Sequence, residues 1–163
     1  MRRRQFLSSL AAAAALPPAL GAALARGRRD AKAYALVLGS VQDAGFPQVG
    51  CYTASCDAGR ALVDAGRGRY VSSLALVEPA AERFYLVDAT PDITRQLDLI
   101  TEPAFRRRAA ERRPFDGIFL THAHIGHYAG LALLGREGMG MQETLVYCSP
   151  AMAGFLTSNS PWR

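Results

Sequence analysis

The sequence has no uninterrupted apolar run long enough to cross a membrane. A spanning helix needs roughly 20 mainly apolar residues, and the only candidate, in the first 25 residues, is broken by Pro17-Pro18. No stable membrane anchor is therefore expected. There is no internal repeat, which excludes a solenoid or propeller, and no low-complexity segment beyond that opening stretch. The main basic run, Arg106-Arg107-Arg108 with Arg112-Arg113, lacks interleaved aromatics and is broken by Ala and Glu111. It reads as a solvated helical or loop insertion, and no nucleic-acid partner is inferred. Cysteine is scarce. The three thiols, Cys51, Cys56 and Cys148, are too few and too scattered for a four-cysteine zinc site. Histidine is scarce as well, and there the scarcity is informative.

All three histidines, His122, His124 and His127, fall in the heptapeptide Thr121-His122-Ala123-His124-Ile125-Gly126-His127. His122 and His124 are two apart, so on an extended segment both side chains leave from one face. Two imidazoles converging from a strand end can hold one divalent ion, and neutral imidazole is the commonest protein ligand for zinc. His127 follows a Gly-containing bend and either completes the set or binds a neighbouring ion. A lone histidine is usually a surface or core residue; three grouped behind an apolar run point to metal.

The remaining pattern is that of one α/β layered domain. Ala33–Gly39, Ser73–Val77, Arg83–Asp88, Phe115–Leu120 and Thr144–Cys148 read as strands. The second and third are spaced for a hairpin. Helical readings fall at Asp57–Ala65, at Pro91–Ile100 after Thr90, at Tyr128–Glu137 and from Pro150 to Leu156.

Before this domain, residues 1–25 carry a charged start, a weakly apolar alanine-rich stretch and a small-x-small ending at Ala23-Leu24-Ala25. Arg3-Arg4-Gln5-Phe6-Leu7 resembles the twin-arginine export signal. The resemblance implies cleavage near Ala25, a periplasmic or otherwise exported domain over residues 26–163, and a route that carries folded cargo. Arg2, Arg3 and Arg4 supply three of the five net positive charges, so removing them leaves a net charge of about +2.

The histidine motif resembles the H-x-H-x-D-H signature of the metallo-β-lactamase superfamily. In that signature the first two histidines bind one metal, and the Asp and last histidine bind a second. His122 and His124 match the first pair and His127 the last position, but Gly126 stands where the Asp should be. One ligand and one proton-handling carboxylate are thus missing. Phe84–Asp92 resembles the superfamily's strand-then-Asp element, with Asp88 at the matching position as a site-supporting residue; capping of the following helix is a compatible alternative.

Leu38–Gln48 (L-G-S-V-Q-D-A-G-F-P-Q) resembles the opening of the pyrroloquinoline quinone synthesis protein B branch. Ser72-Ser73, Thr90-Pro91-Asp92-Ile93 and Arg95-Gln96 match the same pattern. That branch and related phosphodiesterases carry C-x-C-x-x-C; here Cys51 and Cys56 keep the outer positions and Thr53 takes the middle one. The pair is read as a disulfide or free thiols, with a retained structural zinc as the alternative. Cys148 reads as a small buried apolar residue.

These resemblances imply an αββα sandwich of which only the N-terminal portion is expected, since no histidine follows His127. They imply zinc, as one or two divalent ions, with iron or manganese as alternatives. The reaction implied is hydrolysis of an ester or phosphodiester in a small-molecule substrate, and no catalytic side chain is assigned. Two other readings are carried. One is a non-hydrolytic metalloprotein related to quinone-cofactor biosynthesis; the other is a metal-binding fragment without chemistry. A half-sandwich would leave an apolar sheet face uncovered, so self-association is also expected.

Overall fold

The structure is a computed structural model and describes residues 32–162. The twin-arginine and cleavage-site readings lie outside the described residues. Within them runs a five-stranded sheet in the order β1-β2-β3-β4-β5. Its strands are β1 (Tyr34–Gly39), β2 (Ser73–Glu78), β3 (Arg83–Val87), β4 (Gly117–Phe119) and β5 (Val146–Tyr147). The first three pair antiparallel, and β4 and β5 join parallel. The helices are α1 (Ala54–Asp64), α2 (Ile93–Asp98), α3 (Pro103–Ala110), α4 (Leu131–Leu134) and α5 (Pro150–Ser158). No described helix is long and apolar enough to cross a membrane.

Alternation along the strands sorts the two sheet faces. Leu38, Ala75, Val77, Phe84, Leu86 and Ile118 point to one face and are buried there with Ile93, Ile100 and Phe105. The other face carries Val37, Leu76, Phe119 and Tyr147, all exposed among the described residues. On it Phe119 stacks on Tyr147 with ring centroids 4.7 Å apart, and Tyr85 tilts against Phe119 at 5.9 Å. One face of the sheet is thus packed and the other bare.

The hairpin between β2 and β3 turns through a single 3-10 turn, Pro79–Ala81, with Glu82 in the left-handed region at φ 51°. The arginine-rich segment folds as α3, with Pro103 in its first turn, where a missing N–H costs nothing. Phe105 is its buried anchor, 5.3 Å from Phe84 and 5.4 Å from Phe115 between ring centroids. Three of the arginines near it face acidic side chains. Arg108 forks onto both oxygens of Asp116 at 2.8 and 3.0 Å, Arg107 bonds Glu82, and Arg113 bonds Glu143 at 2.9 Å.

Several boundaries differ from the sequence reading, each for a local reason. The helix expected from Asp57 begins three residues earlier, where Cys56 is buried and Gly59 lies against the Phe46 ring. The helix expected over Tyr128–Glu137 is confined to Leu131–Leu134. Beyond it the glycine-rich chain folds back, with the Gly140 N–H on the Gly135 carbonyl and the Met141 N–H on that of Leu134. Pro91 and Asp92 form a turn, and α2 starts only at Ile93. β4 and β5 occupy only the central part of their apolar runs.

Candidate metal centre

The histidines sit where β4 leaves the sheet. β4 ends at Phe119, and the chain runs without regular structure to His124, which is extended at φ/ψ −72°/137° and precedes a single 3-10 turn, Ile125–His127. Two backbone bonds tie this loop to the end of β3: Ala89 N–H donates to His127 O and Gly130 N–H donates to Ala89 O, both at 2.9 Å. Gly130 is required there, because a Cβ would lie 2.1 Å from the Thr90 carbonyl oxygen.

Asp88 organises the loop from beneath. It is buried, sits at φ 63° in the left-handed region, and anchors its own N–H on Phe119 O at 2.8 Å. Aspartate is among the few side chains that tolerate this conformation. One carboxylate oxygen accepts the Thr121 N–H at 2.8 Å; the other accepts the Thr121 hydroxyl at 2.8 Å and contacts His127 Nδ1 at 2.8 Å. Asp88 therefore does not cap the following helix, whose N-cap is Asp92. With Nδ1 donating to the carboxylate, His127 keeps its Nε2 lone pair free, the arrangement by which carboxylates orient metal-binding imidazoles. The His127 side chain is 14% exposed.

The other two imidazoles reach into solvent. His122 Nδ1 is 2.9 Å from the Thr121 hydroxyl, and His122 Nε2 is 3.1 Å from His124 Nδ1. The His122 ring centroid lies 4.7 Å from that of His124 and 4.0 Å from that of His127. Among the described residues no three donors are already closed around a common point. The donor chemistry nevertheless fits a divalent ion. Zinc–nitrogen bonds of about 2.0–2.1 Å in a tetrahedral set place neighbouring nitrogens about 3.3 Å apart, close to the 3.1 Å between His122 and His124. The His124 side chain is 74% exposed and free to turn. Beside the histidines a shallow depression of about 310 Å³ is lined by Thr121, His122, Tyr128, Ser149, Met152 and Phe155.

The scaffold behind Asp88 is a set of buried and part-buried hydrogen bonds. Ser73 Oγ donates to the carbonyls of Val87 and Asp88 at 2.9 and 3.0 Å. Thr90 Oγ1 donates to Gln96 Oε1 at 2.7 Å, and Gln96 Nε2 donates to Val71 O at 2.6 Å. Val71 N–H donates to the Asp92 carboxylate at 2.8 Å. The Ser72-Ser73, Thr90-Pro91-Asp92 and Gln96 blocks are thus scaffold: they fix the strand end from which Asp88 projects. Cys51 and Cys56 are joined in a disulfide, so their thiolates are not available as zinc ligands. Cys148 is a free thiol, half-buried against the core. Sequence reasoning passed over Thr121 and Ser73 as positioning groups and did not single out Asp43, which faces His124 at 3.9 Å.

Residues 83–162 match the family model of the beta-lactamase superfamily domain. The coenzyme PQQ synthesis protein B of Methylorubrum extorquens (strain PA1) is 33% identical over 127 residues, covering 77% of this chain and 40% of its own length. That of Methylobacterium nodulans is 38% identical over 104 residues, covering 61% and 33%. Among solved structures, Zn(2+)-bound PqqB from Methylobacterium extorquens superposes with a TM-score of 0.61 at 30% identity, over 78% of this chain and 44% of that one. The chain spans about two-fifths of the length of the first of these curated relatives. Its mixed α/β fold is that of the metallo-β-lactamase proteins, in part.

Proposed function

We propose that this chain carries the first metal half-site of an exported metallohydrolase that acts on an ester or phosphodiester bond of a small molecule. The observation that carries the reading is the Asp88–His127 bond at 2.8 Å, beside two imidazoles whose ring nitrogens are 3.1 Å apart. A buried carboxylate selects the His127 tautomer, and solvent-facing His122 and His124 supply the other nitrogens. His122, His124 and His127 would hold the ion, with zinc the favoured metal for such a set. Bound zinc supplies a water-derived nucleophile near neutral pH and a Lewis acid for the substrate oxygen. The protein's own part is to hold the imidazoles, keep His127 in one tautomer through Asp88 and present the depression beside His122 to the substrate. Export rests on the twin-arginine-like start.

A second reading, a non-hydrolytic metalloprotein of quinone-cofactor biosynthesis, draws support from the names of the similar proteins and from Gly126. Loss of an acidic ligand harms a two-metal hydrolase more than a one-metal protein. One experiment separates the readings. Apoprotein is reconstituted with zinc or with iron(II), and turnover of a chromogenic phosphodiester and a chromogenic ester is followed. Zinc-dependent turnover that is abolished in His122→Ala supports the hydrolase. Iron binding with no hydrolysis under any metal supports the second reading.

A further inference from the structure

We infer that Asp43, in the loop after β1, supplies a carboxylate ligand to the His122–His124 centre, next to a position 126 that has no side chain to give; the inference rests on the metal-site reading above. Three observations carry it. First, the space that a side chain at position 126 would need is taken by Asp43. A Cβ on the buried Gly126 would lie 2.1 Å from Asp43 Cβ and 2.6 Å from Asp43 Cα and the Asp43 carbonyl oxygen. Glycine at 126 and aspartate at 43 are thus two halves of one packing solution. An acidic side chain at 126 and the present path of the Asp43 loop exclude each other.

Second, the carboxylate faces the histidines. Asp43 Oδ2 lies 3.9 Å from His124 Nδ1, the same nitrogen that sits 3.1 Å from His122 Nε2. Neighbouring donors of a tetrahedral zinc set are about 3.3 Å apart, so the Oδ2–Nδ1 separation of 3.9 Å would shorten by about 0.6 Å when the two atoms share an ion. The Asp43 carboxylate accepts no hydrogen bond from any described residue. It is half-exposed, at 36%, and is therefore free to bind an ion.

Third, the loop is pinned on both sides of this residue. The Ser40 and Val41 N–H groups donate to Tyr70 O at 2.9 and 3.1 Å, and Ser72 donates to Val41 O from its N–H and its hydroxyl. Past Asp43, the Gln42 side chain bridges the Ala44 N–H and the Gly45 carbonyl, each at 2.9 Å, and Phe46 pairs with Arg69. The Gln42–Gly45 turn thus presents Asp43 at a fixed place. The carboxylate joins the histidine nitrogens in a mixed nitrogen–oxygen set for a divalent cation. The carboxylate also offsets part of the ion's charge.

The test is zinc titration against a competing chelator on the purified chain and on Asp43→Asn, Asp43→Ala and His124→Ala, together with the visible absorption of the cobalt(II) forms. Asparagine keeps the volume and removes the charge, and no hydrogen bond to another described residue is lost with it. We expect Asp43→Asn and Asp43→Ala to weaken zinc binding at least 10-fold and to change the cobalt(II) band positions and intensity, with unaltered melting of the metal-free protein. Wild-type affinity in Asp43→Asn overturns the assignment and leaves the histidine site standing. Weaker binding with an unchanged cobalt(II) spectrum also overturns it, by showing that Asp43 acts only as a nearby charge. No zinc binding by the wild-type chain, or full binding by His124→Ala, overturns the histidine site and the Asp43 assignment together.

Discussion

Asp88→Asn replaces one carboxylate oxygen with an NH2 group at almost constant volume, at a position whose φ of 63° asparagine adopts as readily as aspartate. The Thr121 N–H, fixed in the backbone, keeps the amide oxygen on its side. The NH2 then faces His127 Nδ1, where the carboxylate oxygen had been 2.8 Å away. Two N–H groups cannot share that contact, so His127 turns Nδ1 into an acceptor and moves its proton to Nε2. That tautomer has no lone pair for a metal. Binding then requires the opposite tautomer without its charged hydrogen bond, a loss of roughly 1.5–3 kcal/mol. The expected result is a 10- to 100-fold weaker zinc affinity, by competition titration, in the range found when such oriented carboxylates are removed. Metal-free stability should fall much less, because asparagine still satisfies Thr121. Unchanged zinc affinity in a folded Asp88→Asn protein would refute the claim that Asp88 acts through His127.

Other substitutions read the scaffold. Gly130→Ala drives a methyl group to 2.1 Å from the Thr90 carbonyl and should cost about 2–3 kcal/mol in urea denaturation; a loss below 0.5 kcal/mol (~) would show that the loop yields freely. Asp116 has a second, pH-dependent signature. Burial pushes its carboxyl pKa up, but the Arg108 hydrogen bond, the Phe84 N–H and the charges of Arg108 and Arg83 outweigh this and hold it below the ordinary value. Its contribution is therefore fully present above about pH 4 and lost as pH falls through the lowered folded value. Asp116→Asn should be less stable than wild type at pH 7, and the gap should close toward pH 2; a gap constant with pH would contradict the ion pair. Cys51→Ser opens a small disulfide loop and should cost about 2 kcal/mol while leaving zinc stoichiometry unchanged by elemental analysis. Loss of one zinc equivalent would restore the structural-zinc reading.

The parts of this molecule legible in the sequence are those where local pattern and tertiary need agree. Ala33–Gly39, Ser73–Val77 and Arg83–Asp88 are short apolar runs bounded by turn residues, and all three are strands of the sheet. The clustering of His122, His124 and His127 was visible because the motif is continuous in the chain. Boundaries were less legible where glycine lets the chain leave a helix early, as after Leu134. Asp43 was invisible as a partner of this cluster for a different reason. It is 81 residues from His124, and nothing local in Gln42-Asp43-Ala44-Gly45 says which loop it will face. In the sequence Gly126 reads as a missing ligand and a missing proton-handling carboxylate. Its contact with Asp43 gives the glycine a steric cause.

The central claim, a metal centre built on the loop that follows β4, is tested most directly by metal content. Wild-type protein and the His122→Ala/His124→Ala double variant are purified, reconstituted with excess zinc, freed of loose metal by gel filtration and analysed for zinc per chain. The expected result is at least one tightly held zinc in the wild type and none in the double variant, with the fold retained because both side chains are exposed. Equal zinc in the two proteins, or none in either, would contradict it.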